Sequence, residues 1–289
     1  MQTSTALLGP GDEDRLERYL LTRPDTTMFL RSNLREGGIV DRGEPYQGTW
    51  VATLAEGEVL GVVTHGWNGI LLFEADTAHV GDLAIEAARR SERAVTGLIG
   101  PCVQVEAARR ALGLSEAGTT LDSVEDLFSL ELTALVVPAL LGAGGRVRAP
   151  RQDEVSLLVD WRLAYEAETI GWEVARENVE ASMRRYIRQG IEFVLEVDGE
   201  LVAGCHWNAR TADAVQIGGV WTPPALRDRG YARAVVAGAL QEAARQGLWR
   251  TILFTPKTNH AARRAYEALG YRIVGDYAIV LLDLEAGQG

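Results

Sequence analysis

The sequence predicts an α/β chain in which one order of strands and helices occurs twice. Three observations carry this expectation. Short apolar or alternating runs bounded by turn residues read as strands, and they are interspersed with amphipathic stretches of helical period. In the second half, the strand Ala214–Thr222 meets Pro223-Pro224, a loop containing Gly230, and a helical run over Arg233–Gln246. The first half repeats the rhythm: Leu7–Leu16 parallels Val147–Val155, and similar runs succeed them in similar order.

In the first half, helices are predicted near Asp12–Leu21 and Thr26–Glu36. Strands come after them at Trp50–Ala55, Val59–His65 and Ile70–Glu74. A helix over Thr77–Arg90, a strand at Val95–Ile99 and a helix over Val103–Leu112, stopped by Gly113, come next, and Leu127–Leu132 reads as a closing strand. The Gly-rich stretch Gly142–Arg151 is the natural linker, so the predicted domains are residues 1–141 and 142–289.

In the second half, a strand near Gly145–Arg148 precedes helices over Glu154–Thr169 and Glu173–Gln189, the latter stopped by Gly190. Ile191–Val197 and Glu200–His206 read as strands joined by the two-residue turn Asp198-Gly199. After Ala214–Thr222 and its helix come a buried strand at Thr251–Thr255, a helix capped by Asn259 and stopped by Gly270, and closing strands at Tyr271–Val274 and Tyr277–Leu284.

Composition sets the outer bounds. Of 289 residues 47% are hydrophobic and 24% charged, ordinary for a globular protein with ample core. The formal net charge of −11 argues against a sequence-independent nucleic-acid surface, which needs a basic footprint. The two cysteines, Cys102 and Cys205, have no metal-site or disulfide spacing and read as buried thiols of a reducing cytoplasm. His65, His79, His206 and His260 are not at metal spacing. The first ten residues lack a basic start and a long apolar core, so they are not read as a signal peptide. The longest uncharged runs, Val59–Phe73 and Leu132–Gly145, are too short to span a membrane. The expectation is a soluble cytoplasmic protein with no membrane or nucleic-acid partner and no metal.

The stretch from strand to helix around Gly230 carries chemistry. The first amides of a helix have no internal partner, and the helix dipole favours an anion there. Gly230 removes a side chain from the approach, Ala232 keeps the next position small, and Arg227, Arg229 and Arg233 add positive charge. Asn259 and Tyr266, seven residues apart, share one face of the next helix. Arg-x-x-Gly-x-Ala at 227–232, Asn259 with Tyr266, and Leu269-Gly-Tyr271 together resemble the cofactor half of the GNAT acyltransferase superfamily, over roughly residues 150–289.

That resemblance implies tandem GNAT-like domains with a mostly antiparallel, mixed sheet and flanking helices. It implies acetyl-CoA as acyl donor and a small-molecule or peptide amine as acceptor, attacked directly in a ternary complex. The loop Asp228–Arg233, with Tyr231 in its middle, would hold the diphosphate. Val220, Trp221 and Thr222 would pair with the pantetheine arm through the main chain, on a strand that splays from its neighbour. Pro223-Pro224 cannot donate ladder hydrogen bonds, so pairing is expected to end there. Asn259 would hydrogen-bond the arm, and Tyr266 would protonate the leaving thiolate, where packing beneath the helix is the alternative.

The proton acceptor stays open. The fourth strand offers Gln216 and no carboxylate. Candidates are His206 and, on the first helix of this half, Glu166 and Glu168; a water chain or an amine arriving neutral would serve too. Trp161, Tyr165, Trp172 and Trp207 could line an acceptor pocket or simply build core. In the first half, the corresponding loop carries Glu74 and Asp76 and no glycine motif, so that half is not expected to bind coenzyme A. Two other readings fit the same residues: a non-catalytic coenzyme A-binding sensor, and a protein N-terminal or lysine acetyltransferase. A homodimer is compatible with the sequence.

Overall fold

The computed structural model describes residues 3–169 and 174–283 and divides the chain into two compact units. One comprises Met1–Leu127 with Val274–Gly289; the other is Phe128–Ile273.

The first unit runs β1 (Thr3–Leu7), α1 (Glu13–Leu21), α2 (Met28–Gly37), β2 (Gly48–Ala55), β3 (Glu58–Gly66), β4 (Ile70–Glu74), α3 (Val80–Ser91), β5 (Gly97–Pro101), α4 (Cys102–Ala111) and most of β6 (Thr119–Glu131). Strands β1 to β4 pair antiparallel in sequence order, and β5 joins β4 in parallel. Period-2 alternation builds a core on each face of this sheet. Val51, Val63 and Leu71 turn toward Leu83 and Ala84 of α3 and Val105 of α4. Their neighbours Trp50, Ala52, Val62 and Leu72 turn toward Leu16 and Leu20 of α1 and Leu30 of α2.

The second unit repeats the order with β7 (Arg146–Arg148), α5 (Val155–Thr169), α6 (Arg176–Gln189), β8 (Glu192–Val197), β9 (Glu200–Arg210), β10 (Ala214–Trp221), α7 (Tyr231–Arg245), β11 (Arg250–Pro256), α8 (His260–Glu267) and the first residues of β12 (Arg272–Leu282). Strands β7 to β10 are again antiparallel neighbours, and β11 joins β10 in parallel. Asp198 and Gly199 adopt left-handed φ of 52° and 84°, as a tight hairpin turn requires. Leu195, Val215 and Ile217 pack with α7, and Val194 packs with Val155 and Leu158 of α5. The expected mixed, mostly antiparallel sheet with flanking helices is present in both units.

The compact units divide the chain differently from the expected boundary at 141/142. Tyr277–Leu281 of β12 pair antiparallel with Pro101–Gly97 of β5, so the end of the chain completes the first unit's sheet. The last residues of β6, from Phe128, belong to the second unit beside β11. The two closing strands are therefore exchanged relative to the sequence reading. The two short strands expected at Tyr271–Val274 and Tyr277–Leu284 are one strand, Arg272–Leu282, and Leu284 lies outside the described residues. Strand β6 begins at Thr119 rather than Leu127, and Leu121 and Val124, the apolar residues of its first eight, are three apart and show no period of two. The start of the helix expected from Glu173 also lies outside the described residues.

Candidate functional site

Strand β10 is bulged. Its register against β9 shifts between Gln216 and Ile217 and again between Gly218 and Trp221, and Gly219 takes a left-handed φ of 56°. Its parallel ladder with β11 covers only Ala214–Gln216 against Arg250–Ile252. The pairing thus stops well before Pro223-Pro224, where sequence reasoning ended it. The bulge lies beyond the point where this ladder ends, in the outer half of β10.

Beyond Trp221 the chain forms a short 3-10 turn at Pro224–Leu226 and then the glycine loop. Asp228 and Gly230 both have left-handed φ, 62° and 76°. Such alternation turns successive amides toward a common point and makes an anion-binding concavity. Helix α7 starts at Tyr231, two residues earlier than expected, and its first helical bond runs from the Ala234 amide to the Gly230 carbonyl, 3.0 Å. The amides of Tyr231, Ala232 and Arg233 precede that bond. A Cβ built on Gly230 would meet only the end of the Arg233 side chain, at 3.6 Å, so the approach to these amides is open.

The three arginines behave differently. Arg227 is held within the protein: its Nε donates to the Thr222 carbonyl at 3.1 Å, its Nη2 pairs with Glu168 at 2.8 Å, and its guanidinium lies 5.0 Å from the Trp221 ring centroid. Arg229 is exposed. Arg233 Nε and, at the end of β10, Thr222 Oγ1 are buried and have no hydrogen-bond partner among the described residues. Polar atoms left so are costly, and they suit a ligand that brings the missing partners. The open amides, these two atoms and the separated strand edge are a donor set that fits the diphosphate and amide-bearing arm of coenzyme A.

On α8 the Asn259 side chain accepts from the Ala262 amide at 3.1 Å, the cap expected of it. Tyr266 is 8% exposed and packs edge-on against Phe128 and Tyr271, with ring centroids 5.9 and 6.0 Å away. It sits in the core of the second unit.

A cavity of about 160 Å³ lies between α5, α6 and the strands β8 to β10, and Tyr266 is not among the residues that line it. Trp161, Tyr165, Tyr186 and Trp221 supply aromatic walls, and Met183 and Val179 supply aliphatic ones. Trp161 and Tyr165, which the sequence left open between pocket lining and core, line this cavity. Trp207 instead packs on Phe193 in the core, at 4.9 Å, and Trp172 lies outside the described residues. The polar groups in the cavity are Arg162, Glu166, Glu192 and His206. Arg162 and Glu166 form an ion pair at 2.6 Å, one turn apart on α5. Glu192 and His206 are cross-strand partners on β8 and β9, and His206 stacks on Tyr186 at 5.1 Å.

Burial sets the charge of this pair. It raises the Glu192 carboxyl to about 8, with Arg162 opposing part of the shift, so the acid is mostly protonated at neutral pH. It lowers His206 to about 3, with Arg162 assisting, so the ring is neutral. Of the four catalytic candidates, Tyr266, Glu166, Glu168 and His206, only Glu166 and His206 line the cavity, and Glu166 is held by Arg162. A ring held near 3 is a weak proton acceptor at neutral pH. Glu168 is occupied by Arg227. Sequence reasoning missed Glu192, Arg162 and Tyr186. The one available signal was Glu192 sharing the face of Val194, an inward position for a charged residue in a strand whose first four residues are all buried.

Among the described residues, no group of three His, Cys, Asp or Glu side chains could hold a metal ion, and no helix is long and apolar enough to cross a membrane.

Comparison with known proteins bears on the same region. Residues 158–271 match the profile described as "Acetyltransferase (GNAT) family". The mycothiol acetyltransferase of Corynebacterium diphtheriae is 28% identical over 109 residues, 36% of this chain and 36% of that relative, so the match spans about a third of its length. A GNAT-family acetyltransferase structure from Colwellia psychrerythraea superposes with a TM-score of 0.55 at 14% identity, covering 97% of this chain and 100% of that one. A tandem GNAT protein from the clavulanic acid biosynthesis pathway superposes with a TM-score of 0.56 at 13% identity, covering 96% and 97%. At such identities the structures speak for the fold, and the tandem arrangement matches the repeated order of elements seen here. Residues 158–271, which hold the bulged strand, the loop at Gly230 and the cavity walls, form a domain of the acetyltransferase (GNAT) family.

Proposed function

We propose that the second unit transfers an acetyl group from acetyl-CoA to the primary amine of a small molecule seated in the cavity of α5, α6 and β8–β10. One observation carries this reading. A single bulged strand, β10, lines the cavity with Gly219 and Trp221 and leads directly into the open amides at Gly230. A donor anchored at the loop and extended along that strand would present its reactive end at the cavity.

When bound, acetyl-CoA supplies an activated acetyl carbonyl and a thiol leaving group. The amides of Tyr231, Ala232 and Arg233, with the Arg233 and Arg229 side chains, hold the diphosphate. The main chain of Val220–Thr222 pairs with the pantetheine arm, and an amide of this segment stabilises negative charge developing on the acetyl oxygen. Asn259, whose Oδ1 is taken by the helix cap, offers its amide nitrogen to the arm. Tyr266 donates a proton to the departing thiolate. Arg227 orders the loop through Glu168, Thr222 and Trp221 rather than by meeting phosphate. A cavity of this size takes roughly one benzene-sized group, since engineered cavities near 150 Å³ bind benzene. This favours a small amine over a peptide.

Calorimetric titration with acetyl-CoA and an assay of thiol release against a panel of small primary amines test the proposal. Binding with release by at least one amine is expected. No acetyl-CoA binding would remove it, and binding without release across the panel would leave the sensor reading.

A further inference from the structure

The cavity contains a carboxyl whose presence packing does not explain. Glu192 is 5% exposed, and its Oε2 has no hydrogen-bond partner among the described residues. The nearest basic atom is His206 Nδ1 at 4.0 Å, beyond hydrogen-bond reach. An acid buried with an unused acceptor is costly, and an apolar residue of similar size would serve packing better. The His206 ring also marks where the reacting centre lies. A Cβ on Gly219 would fall 2.3 Å from His206 Cε1 and 2.8 Å from Arg162 Nη1, so the ring rests against the bulge of β10, the strand along which the acetyl group is proposed to lie.

We propose that Glu192 is the catalytic proton acceptor of the acetyl transfer, taking a proton from an ammonium group that enters the cavity beside the carboxyl and the His206 ring. This rests on the reading of the second unit as an acetyl-CoA-dependent transferase. The N–H bond of the ammonium breaks as an O–H bond forms on the Glu192 carboxylate. The freed nitrogen lone pair forms the bond to the acetyl carbon while the carbon–sulfur bond breaks. A second nitrogen proton reaches the thiolate by way of Tyr266, and Glu192 returns its proton to solvent. His206 is a positioning residue, a neutral wall that keeps the amine beside the carboxyl. The acceptor class is set by the cavity: a small primary amine with a flat apolar body, its cationic end drawn by the carboxylate and aromatic faces.

The titratable groups facing Glu192 are Arg162, Tyr165 and Glu166 on α5, Tyr186 on α6 and His206 on β9, whereas Cys205, the adjacent residue on β9, lies on the opposite face of the sheet against Val235 of α7. Arg162 favours the carboxylate, burial opposes it, and the Cys205 thiol is itself pushed up by burial and by Glu192. Turnover should therefore rise with pH, pass half of its maximum near 8 and level off above it.

The experiment measures kcat, KM and acetyl-CoA affinity of the full chain for wild type, Glu192→Gln and Glu192→Asp, with benzylamine, phenethylamine and tryptamine as probes, from pH 6 to 9. Expected is a fall in kcat of roughly 100-fold or more in Glu192→Gln, with acetyl-CoA affinity retained, the pH dependence flattened, and part of the rate restored in Glu192→Asp. A Glu192→Gln kcat within about threefold of wild type, against the roughly hundredfold loss expected for a missing base, overturns the proposal and leaves the transfer reading standing. Wild type that binds no acetyl-CoA, or releases no thiol with any probe, overturns both. Should Glu192→Gln fail to bind acetyl-CoA, the wild-type profile decides: a rise with its midpoint near 8 supports Glu192, and a flat kcat removes it.

Discussion

The two units run the same order of elements and diverge at the turn from their fourth strand into the next helix. In both, the parallel ladder beyond that strand is three residues long: Ile70–Leu72 with Gly97–Ile99 in the first unit, and Ala214–Gln216 with Arg250–Ile252 in the second. Strand separation is thus a property of the shared fold, whereas the turn beyond it is particular to each unit. In the first unit the Ala75 amide is taken by Gln104 Oε1 at 2.9 Å, and the Ala78 amide by Asp76 Oδ1 at 3.2 Å. The Glu74 carboxyl sits among Thr26, Arg23 and Gln104, and the Glu74 carbonyl accepts from the Tyr19 hydroxyl at 2.9 Å. Main-chain and side-chain groups there are satisfied from within, with acid where a phosphate would have to lie. In the second unit the corresponding groups are open around a left-handed glycine. Loop chemistry, more than strand geometry, separates the copy proposed to bind a donor from the copy that is closed.

Placing an acid in the second loop tests this contrast most severely. Gly230→Glu adds bulk and negative charge at a φ of 76° and should weaken acetyl-CoA binding by about 1,000-fold, whereas Thr77→Glu in the first unit's exposed turn should leave it unchanged. Equal effects of the two, read by calorimetry, would erase the distinction.

The buried acids of the two units form the next comparison. Glu192 titrates near 8 in the folded chain against a reference of 4.5, so its stabilising contribution is full below about 4.5 and is lost as pH rises through 8. Glu192→Gln should therefore be more stable than wild type at pH 7, by on the order of 3 kcal/mol, with the gap closing toward pH 4.5. Glu74 is also raised by burial, but Thr26, Arg23 and Gln104 draw it back, so Glu74→Gln should gain less. Denaturant melts at several pH values check both, and a pH-independent gap at Glu192 would contradict its buried, protonated state.

Tyr266→Phe keeps the ring contacts with Phe128 and Tyr271 and should lower kcat on the order of 100-fold at unchanged acetyl-CoA affinity. Unchanged turnover would return Tyr266 to core packing alone. The smallest effect concerns the first unit's closure. Gln104→Ala leaves the Ala75 amide unpaired and should cost roughly 1–3 kcal/mol of stability without altering acetyl-CoA affinity. A changed affinity would show that the first unit takes part in holding the donor.

Much of the molecule is legible in local sequence. The Asp198-Gly199 hairpin, the cap at Asn259 and the glycine before α7 are written in residues whose backbone preferences act within a few positions. So is the acidic turn at Glu74 and Asp76, on which the expectation that the first half binds no coenzyme A rests. Those signals survive folding because hydrogen bonding and φ preference are satisfied at short range.

Tertiary structure decided the rest. Which closing strand completes which sheet depends on partners more than a hundred residues away, and no local pattern distinguishes β6 from β12 in that respect. Arg227 reads as a phosphate ligand in sequence, but in the folded chain Glu168, from a helix far earlier, lies against it. The Glu192–His206 pair appears only when β8 and β9 align in register and α5 and α6 cover them, because burial, which sets the charge of both groups, is a property of the packed protein and of no single segment.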